Sequence, residues 1–116
     1  MKIAIPVDET QKEVCVSFGR APYFLIVEND RRTFVENPGA EAQGGAGLQA
    51  AQCAVDQEAD VLITVRCGEN AAEVLQAAEI EIYQAQGVDV EENLRAMAQG
   101  TLEKLTHFHP GFQGIQ

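Results

Sequence analysis

The sequence predicts one three-layer α/β domain built on a five-stranded mixed sheet. Its first third consists of short β-branched and aromatic runs separated by polar turns, the pattern of a strand meander. From Gly47 onward, amphipathic helical stripes alternate with compact apolar runs, the pattern of parallel strands joined by helices. The chain has 116 residues, 46% hydrophobic and 22% charged, so it is large enough to bury a single core without disulfide staples.

Each element has its own signal. Ile3 to Val7 forms the first strand, and Pro6 near its end predicts that the strand leaves the sheet there. Asp8 to Ala21 is a polar loop with one apolar patch, Val14 to Val16. Tyr23 to Val27 is a second strand, Asn29 to Arg32 a turn, and Thr33 to Glu36 a third strand ended by Asn37-Pro38-Gly39. Gly47 to Glu58 places Leu48, Ala51 and Val55 on one helical stripe. Val61 to Val65 reads as a strand covered on both faces. Ala71, Val74, Leu75 and Ala78 define a second helix, with Asn70 and Glu73 as a candidate capping box. Ile80 and Ile82 alternate with acids as an outer strand. Asp89 then caps a third helix through Gln99, with Val90, Leu94 and Met97 inward and Gly100 at its end.

The order βββαβαβα, with right-handed crossovers in its second half, is that of a three-layer ribonuclease-H-like fold. If the first strand runs up, so do the third, fourth and fifth. Ligands bind outside the carboxyl ends of strands in open α/β sheets. Four segments are expected at that edge: Asp8 to Arg20, Gln43 to Gly47, Arg66 to Asn70, and Gln84 to Gly87.

Composition narrows the partners. Net charge is −10, from 18 acidic and 8 basic residues. Such a surface repels phosphate backbones and anionic lipid, which argues against nucleic-acid and membrane partners. The three cysteines, Cys15, Cys53 and Cys67, are odd in number and form no C-x-x-C pair, so neither a disulfide framework nor a paired-cysteine zinc site is expected. The N-terminus reads as a strand rather than a signal peptide, and no apolar stretch approaches the roughly 20 residues of a membrane span. A cytoplasmic protein is expected.

Three segments have the residue types for binding chemistry. In Ser17-Phe18-Gly19-Arg20, Gly19 permits backbone geometry that other residues resist, and Arg20 puts a permanent positive fork near the crevice. The alternative is a loop re-entering the second strand, with Phe18 a core plug and Arg20 a surface ion pair. In Gln43-Gly44-Gly45-Ala46-Gly47, glycines before a helix let backbone N–H groups face an anion. The segment lacks the Gly-Lys-Ser/Thr of a P-loop and the spacing of a dinucleotide fingerprint, and the alternative is a hinge. In Arg66-Cys67-Gly68-Glu69-Asn70, a cysteine before a helix N-terminus and beside an arginine is expected to have a lowered pKa and to suit a soft metal. The alternative is a small thiol packed in a turn. Cys53 reads as core. Cys15 is a further metal-ligand candidate if the long loop brings it to Cys67. His107 and His109 share one side if extended, and read as a solvated tail.

The ordered set MKIAIPVDE, SFGRAPYF, GGAG, RCGENAAEVL and VDVEENLRAMAQGTLEKL resembles the dinitrogenase iron–molybdenum cofactor biosynthesis family, the NifX-like group. The resemblance covers residues 1–105 as a single domain, leaving 106–116 as a tail. It implies the fold above, and a nitrogenase-related carrier or scaffold rather than an enzyme. The cargo it implies is an anionic metal–sulfur cofactor, an iron–molybdenum precursor or, as in the orange proteins of sulfate reducers, a molybdenum–copper–sulfide cluster. It also implies a protein that donates or accepts this cofactor. The crevice-lining set it implies, joined to the segments above, is Ser17, Phe18, Gly19, Arg20, Gly44, Gly45, Arg66, Cys67, Gly68 and Asn70, with Cys67 and Cys15 as candidate metal ligands. Many members have His where this chain has Ser17, and a hydroxyl is a poor ligand for a soft metal. Anchorage by arginine and backbone N–H groups survives that change.

Two other functions compete. A metal-dependent nuclease needs converging carboxylates; Asp8 follows the first strand, but Leu62 to Val65 offers no acid. A small regulatory or protein-interaction module with no cofactor would use the acidic faces and the sheet edge.

Overall fold

The computed structural model describes residues 1–110. Five strands form one sheet: β1 (Lys2–Val7), β2 (Tyr23–Glu28), β3 (Arg31–Glu36), β4 (Val61–Thr64) and β5 (Glu81–Gln84). Their order is β3-β2-β1-β4-β5. β1–β2 and β2–β3 are antiparallel, whereas β1–β4 and β4–β5 are parallel. Three helices flank the sheet: α1 (Ala46–Asp56), α2 (Glu69–Ala77) and α3 (Val90–Gln99). This is the expected ribonuclease-H-like architecture, element for element.

The two cores explain the layers. Ala50, Ala51 and Ala54 of α1 and Ala71, Ala72 and Leu75 of α2 pack on Ala4, Phe24, Ile26, Leu62 and Ile82 of the sheet. On the opposite face, Val90 and Ala96 of α3 pack on Ile5, Val7, Leu25, Val27, Val61 and Ile63. Alternate residues of each central strand thus face opposite cores, as the period of two requires.

The helical stripes differ from the expected ones. Leu48 is 46% exposed. The face α1 buries is alanine, which lets it lie close to the sheet and to α2. In α3 the fully inward residue beside Val90 and Ala96 is Asn93, while Leu94 and Met97 are half-buried. Asn93 is completely enclosed and bonds the loop before its own helix: its Oδ1 accepts from Gln86 N–H (2.7 Å). Its Nδ2 donates to the carbonyls of Asp89 (2.9 Å), Gln86 (3.1 Å) and Gly87 (3.4 Å). A polar residue at a core position is invisible to an apolar stripe, yet fully satisfied it rigidifies the loop. The ends of α3 are as expected: the Asp89 carboxylate accepts from Glu92 N–H (2.9 Å), and Gly100 stops the helix at φ 74°.

Pro6 marks where the sheet opens. β1 pairs with β2 along its whole length, Pro6 opposite Phe24, but with β4 only at Ile3 and Ala4. The strand therefore leaves β4, not β2. The chain runs from β1 toward β2 on one side and from β4 toward β5 on the other, so this divergence is the topological switch point of the sheet.

Candidate functional site

A crevice of about 620 Å³ lies at the switch point. Its walls are residues 16–20, 43–48, 66–68 and 70–71, with His109 added from the C-terminal segment. Three of the four expected segments meet there. The fourth, Gln84 to Gly87, does not line it; that loop is taken up by Asn93 and by the Gln84 N–H bond to Glu103 O (2.8 Å).

The loop 17–20 is held from below. Ser17 Oγ accepts from Arg20 N–H (3.1 Å), so this hydroxyl shapes the loop. Phe18 is 4% exposed and meets Phe24 edge-to-face at 5.6 Å, which makes it the core plug. Asn37 was expected only as a strand terminator. It is buried and holds three backbone groups on two segments: Nδ2 donates to Phe18 O and Gly19 O (both 3.3 Å), and Oδ1 accepts from Gly39 N–H (2.9 Å). Its sequence, Asn-Pro-Gly, carries a turn signal, and the 3-10 helix Pro38–Glu41 starts there.

Gly19 is needed for space rather than for backbone freedom. Its φ is not positive; a Cβ there would lie 3.0 Å from Gly47 N and 3.2 Å from Gly47 Cα. The Ser17 loop thus rides directly on the first turn of α1. Arg20 makes no ion pair among the described residues. Its Nη1 donates to the carbonyls of Ala42 (2.5 Å), Gly39 (3.4 Å) and Ala40 (3.4 Å), which ties the guanidinium to the end of the 3-10 helix at the crevice wall.

Both helices reach the crevice by their N-termini without a side-chain cap. Gly45 precedes α1 in the left-handed conformation, φ 68°. For α2 the expected Asn70 capping box does not form: the cap is Gly68, and Asn70 sits in the first turn. The reason is tertiary. Glu69 N–H donates to His109 O (2.9 Å) and His109 N–H donates to Cys67 O (3.3 Å), so backbone from the C-terminal segment does the capping. His109 is consequently half-buried on the crevice, not part of a solvated tail, whereas His107 is exposed as expected. The rest of the tail, 111–116, lies outside the described residues.

For Cys67 the packed-thiol alternative holds and the lowered pKa does not. It is 1% exposed, and burial pushes its thiol up to about 12 rather than down. The helix N-terminus does not overcome desolvation of a thiolate in an alanine- and leucine-lined core. Its Sγ–H donates weakly to Gly68 O (3.6 Å). Cys15 does not line the crevice; its N–H donates to Pro6 O (2.8 Å) beside β1. Cys53 lies half-buried on α1, its thiol raised by desolvation and by Asp56. Among the described residues, no group of three His, Cys, Asp or Glu side chains is placed to hold a bare metal ion.

Fold and site together define a class: a ribonuclease-H-like domain with a backbone-rich crevice at the switch point and no carboxylate in its lining. The chain belongs to the dinitrogenase iron–molybdenum cofactor family, whose model matches residues 1–100. Its structure superposes on the apo form of the orange protein from Desulfovibrio gigas with a TM-score of 0.83 and 29% identity, covering 90% of this chain and 92% of that one. A candidate NifB protein from Thermotoga gives a TM-score of 0.77 and 34% identity over 96% and 98%. An uncharacterized protein of Methanocaldococcus jannaschii is 28% identical over 109 residues, 90% of this chain and 91% of that one. No helix among the described residues is long and apolar enough to cross a membrane.

Proposed function

We propose that the crevice receives a preassembled anionic metal–sulfur cluster and holds it for transfer to a partner protein, without chemical turnover. One observation carries this. The chain has 18 acidic residues, yet none lines the crevice, while two of its basic residues, Arg20 and Arg66, do. Around that positive pair stand Gly44, Gly45, Gly47 and Gly68 at two helix N-termini, where partial positive charge also favours an anion. The same lining suits no bare cation: it has no carboxylate, and its one cysteine is a neutral thiol. A two-metal nuclease site is absent for the same reason.

In this reading Arg66, exposed at the rim, supplies attraction, and Arg20, tied to carbonyls, keeps its charge in a fixed place. Ser17 and Asn70 add polar contacts, Phe18 and Gly19 hold the loop at the right height, and Cys67 seals the floor. The bound sulfides supply the molybdenum coordination, and the crevice supplies charge, hydrogen bonds and shape. The family name and the orange protein as a structural neighbour support a metal–sulfur cargo of the iron–molybdenum or molybdenum–copper type. Val16 (53% exposed) and Leu48 (46%) form an apolar lip at the mouth, which also favours a cofactor-free interaction module.

The test is anaerobic titration with tetrathiomolybdate plus copper(I), and separately with iron and sulfide, followed by visible absorption and metal analysis. Stoichiometric uptake that weakens with salt, and weakens roughly fivefold in Arg66→Ala, is expected. No uptake by the wild type under either condition leaves the interaction module as the function.

A further inference from the structure

The C-terminal segment is part of the crevice. After α3 it runs along the outer edge of β5, where Leu105 N–H donates to Ile82 O (3.0 Å) and Leu102 and Leu105 are buried. Phe108 packs on the core beneath α1 and α2. His109 then forms a parallel bridge with Gly68: its N–H donates to Cys67 O, and its carbonyl accepts from Glu69 N–H and so caps α2. The segment is thus a strap anchored at β5 and again at Gly68, and it brings His109 onto the crevice.

The imidazole is seated as well as placed. A Cβ on residue 68 would lie 3.0 Å from His109 Cε1 and 3.5 Å from each ring nitrogen. The ring therefore lies over Gly68, close enough that a methyl there would press on it. His109 Nδ1 lies 3.3 Å from Pro110 O. A carbonyl can only accept, so in the neutral tautomer that makes this bond Nδ1 carries the proton and Nε2 is the nitrogen open to a metal. A backbone carbonyl holding one ring nitrogen is the usual way in which the other is prepared as a metal ligand.

Resting on the function proposed above, we infer that His109 is a ligand for a heterometal of the bound cluster, through Nε2. The metal is of the copper or iron class, which accepts imidazole. A tetrathiomolybdate anion, its molybdenum already surrounded by four sulfides, offers no position to an imidazole. A copper or iron attached to it does: the Nε2 lone pair takes a position on that metal, a labile solvent molecule leaves, and no electron is transferred. His109 thus selects a molybdenum–copper or molybdenum–iron sulfide over the simple thiomolybdate anion. It also restores, from the other side of the crevice, the nitrogen donor that Ser17 cannot provide.

The experiment compares tetrathiomolybdate alone with tetrathiomolybdate plus copper(I) on the full chain, with 15N NMR of the imidazole nitrogens. Copper(I) is diamagnetic and leaves these resonances visible. In the wild type the Nε2 resonance of His109 moves only when copper is present, and that of His107 stays. His109→Ala weakens uptake of the copper-containing cluster at least tenfold and changes thiomolybdate binding less than twofold. His107→Ala gives no loss of either anion. Equal uptake by wild type and His109→Ala with an unmoved His109 resonance overturns the inference while leaving the carrier function standing, as does an equal loss of both anions. Failure of the wild type to bind either anion overturns the function itself, and this inference with it.

Discussion

If Cys67 is a neutral seal rather than a thiolate ligand, its ionisation must be coupled to unfolding. Its thiol is moved from an ordinary 9.0 to about 12, and the cause is desolvation. The folded state then holds its proton between pH 9 and about 12, whereas the unfolded state releases it. The unfolded chain binds fewer protons in that window, so stability is fully present below pH 9 and falls as pH rises toward 12. The slope from this one group is at most about 1.4 kcal/mol per pH unit. Urea unfolding from pH 7.5 to 11 measures it in a Cys15→Ala/Cys53→Ala background, which removes the other raised thiol. Adding Cys67→Ala must flatten the alkaline fall, with other groups common to both proteins. Thiol reactivity gives a second readout: at neutral pH the thiolate fraction is reduced roughly a thousandfold relative to an unperturbed cysteine, so a disulfide reagent labels Cys67 only on unfolding. Rapid labelling of the native protein at pH 7.5, or an alkaline slope that Cys67→Ala leaves unchanged, refutes the reasoning and reinstates Cys67 as a ready-made soft ligand.

Two further outcomes follow from the scaffold behind the crevice. Asn93→Ala leaves the part-buried Gln86 N–H and the carbonyls of residues 86, 87 and 89 short of partners, so a loss of about 1–3 kcal/mol is expected, read as a lowered urea midpoint without change in cofactor site chemistry. Gly39→Ala puts a Cβ 2.5 Å from Ala46 O and against Gly19 O, forcing the Ser17 loop away from α1; a loss of about 1–3 kcal/mol in thermal melts together with weakened cluster uptake is expected, and unchanged uptake would show that the loop position does not matter.

Much of the molecule was legible in the sequence because its signals are local. Strand runs, the Asp89 cap and the Gly100 stop depend on near neighbours only, and the alternation of hairpins and helical crossovers then sets the strand directions. Those directions alone gathered three of the crevice walls at one edge, while the strand order came from the structure. Composition and spacing also identified Arg20, Arg66 and the glycines before α1 as residues of one edge.

Tertiary structure decided what no window of sequence contains. Asn70 lost its cap role because a strap about forty residues later delivers backbone to Gly68 and Glu69. The sequence left Cys67 open between a lowered-pKa thiol before a helix and a thiol packed in a turn; desolvation by the surrounding core decides for the second, an effect set by packing and not by neighbours in the chain. A side chain at Gly19 or Gly68 would press on another segment, α1 in one case and the His109 ring in the other. His109 itself read as tail, since nothing nearby announces a partner. Local chemistry thus determined the fold and the edge at which the crevice opens, and long-range contact determined which groups of that edge are buried, capped or brought into its lining.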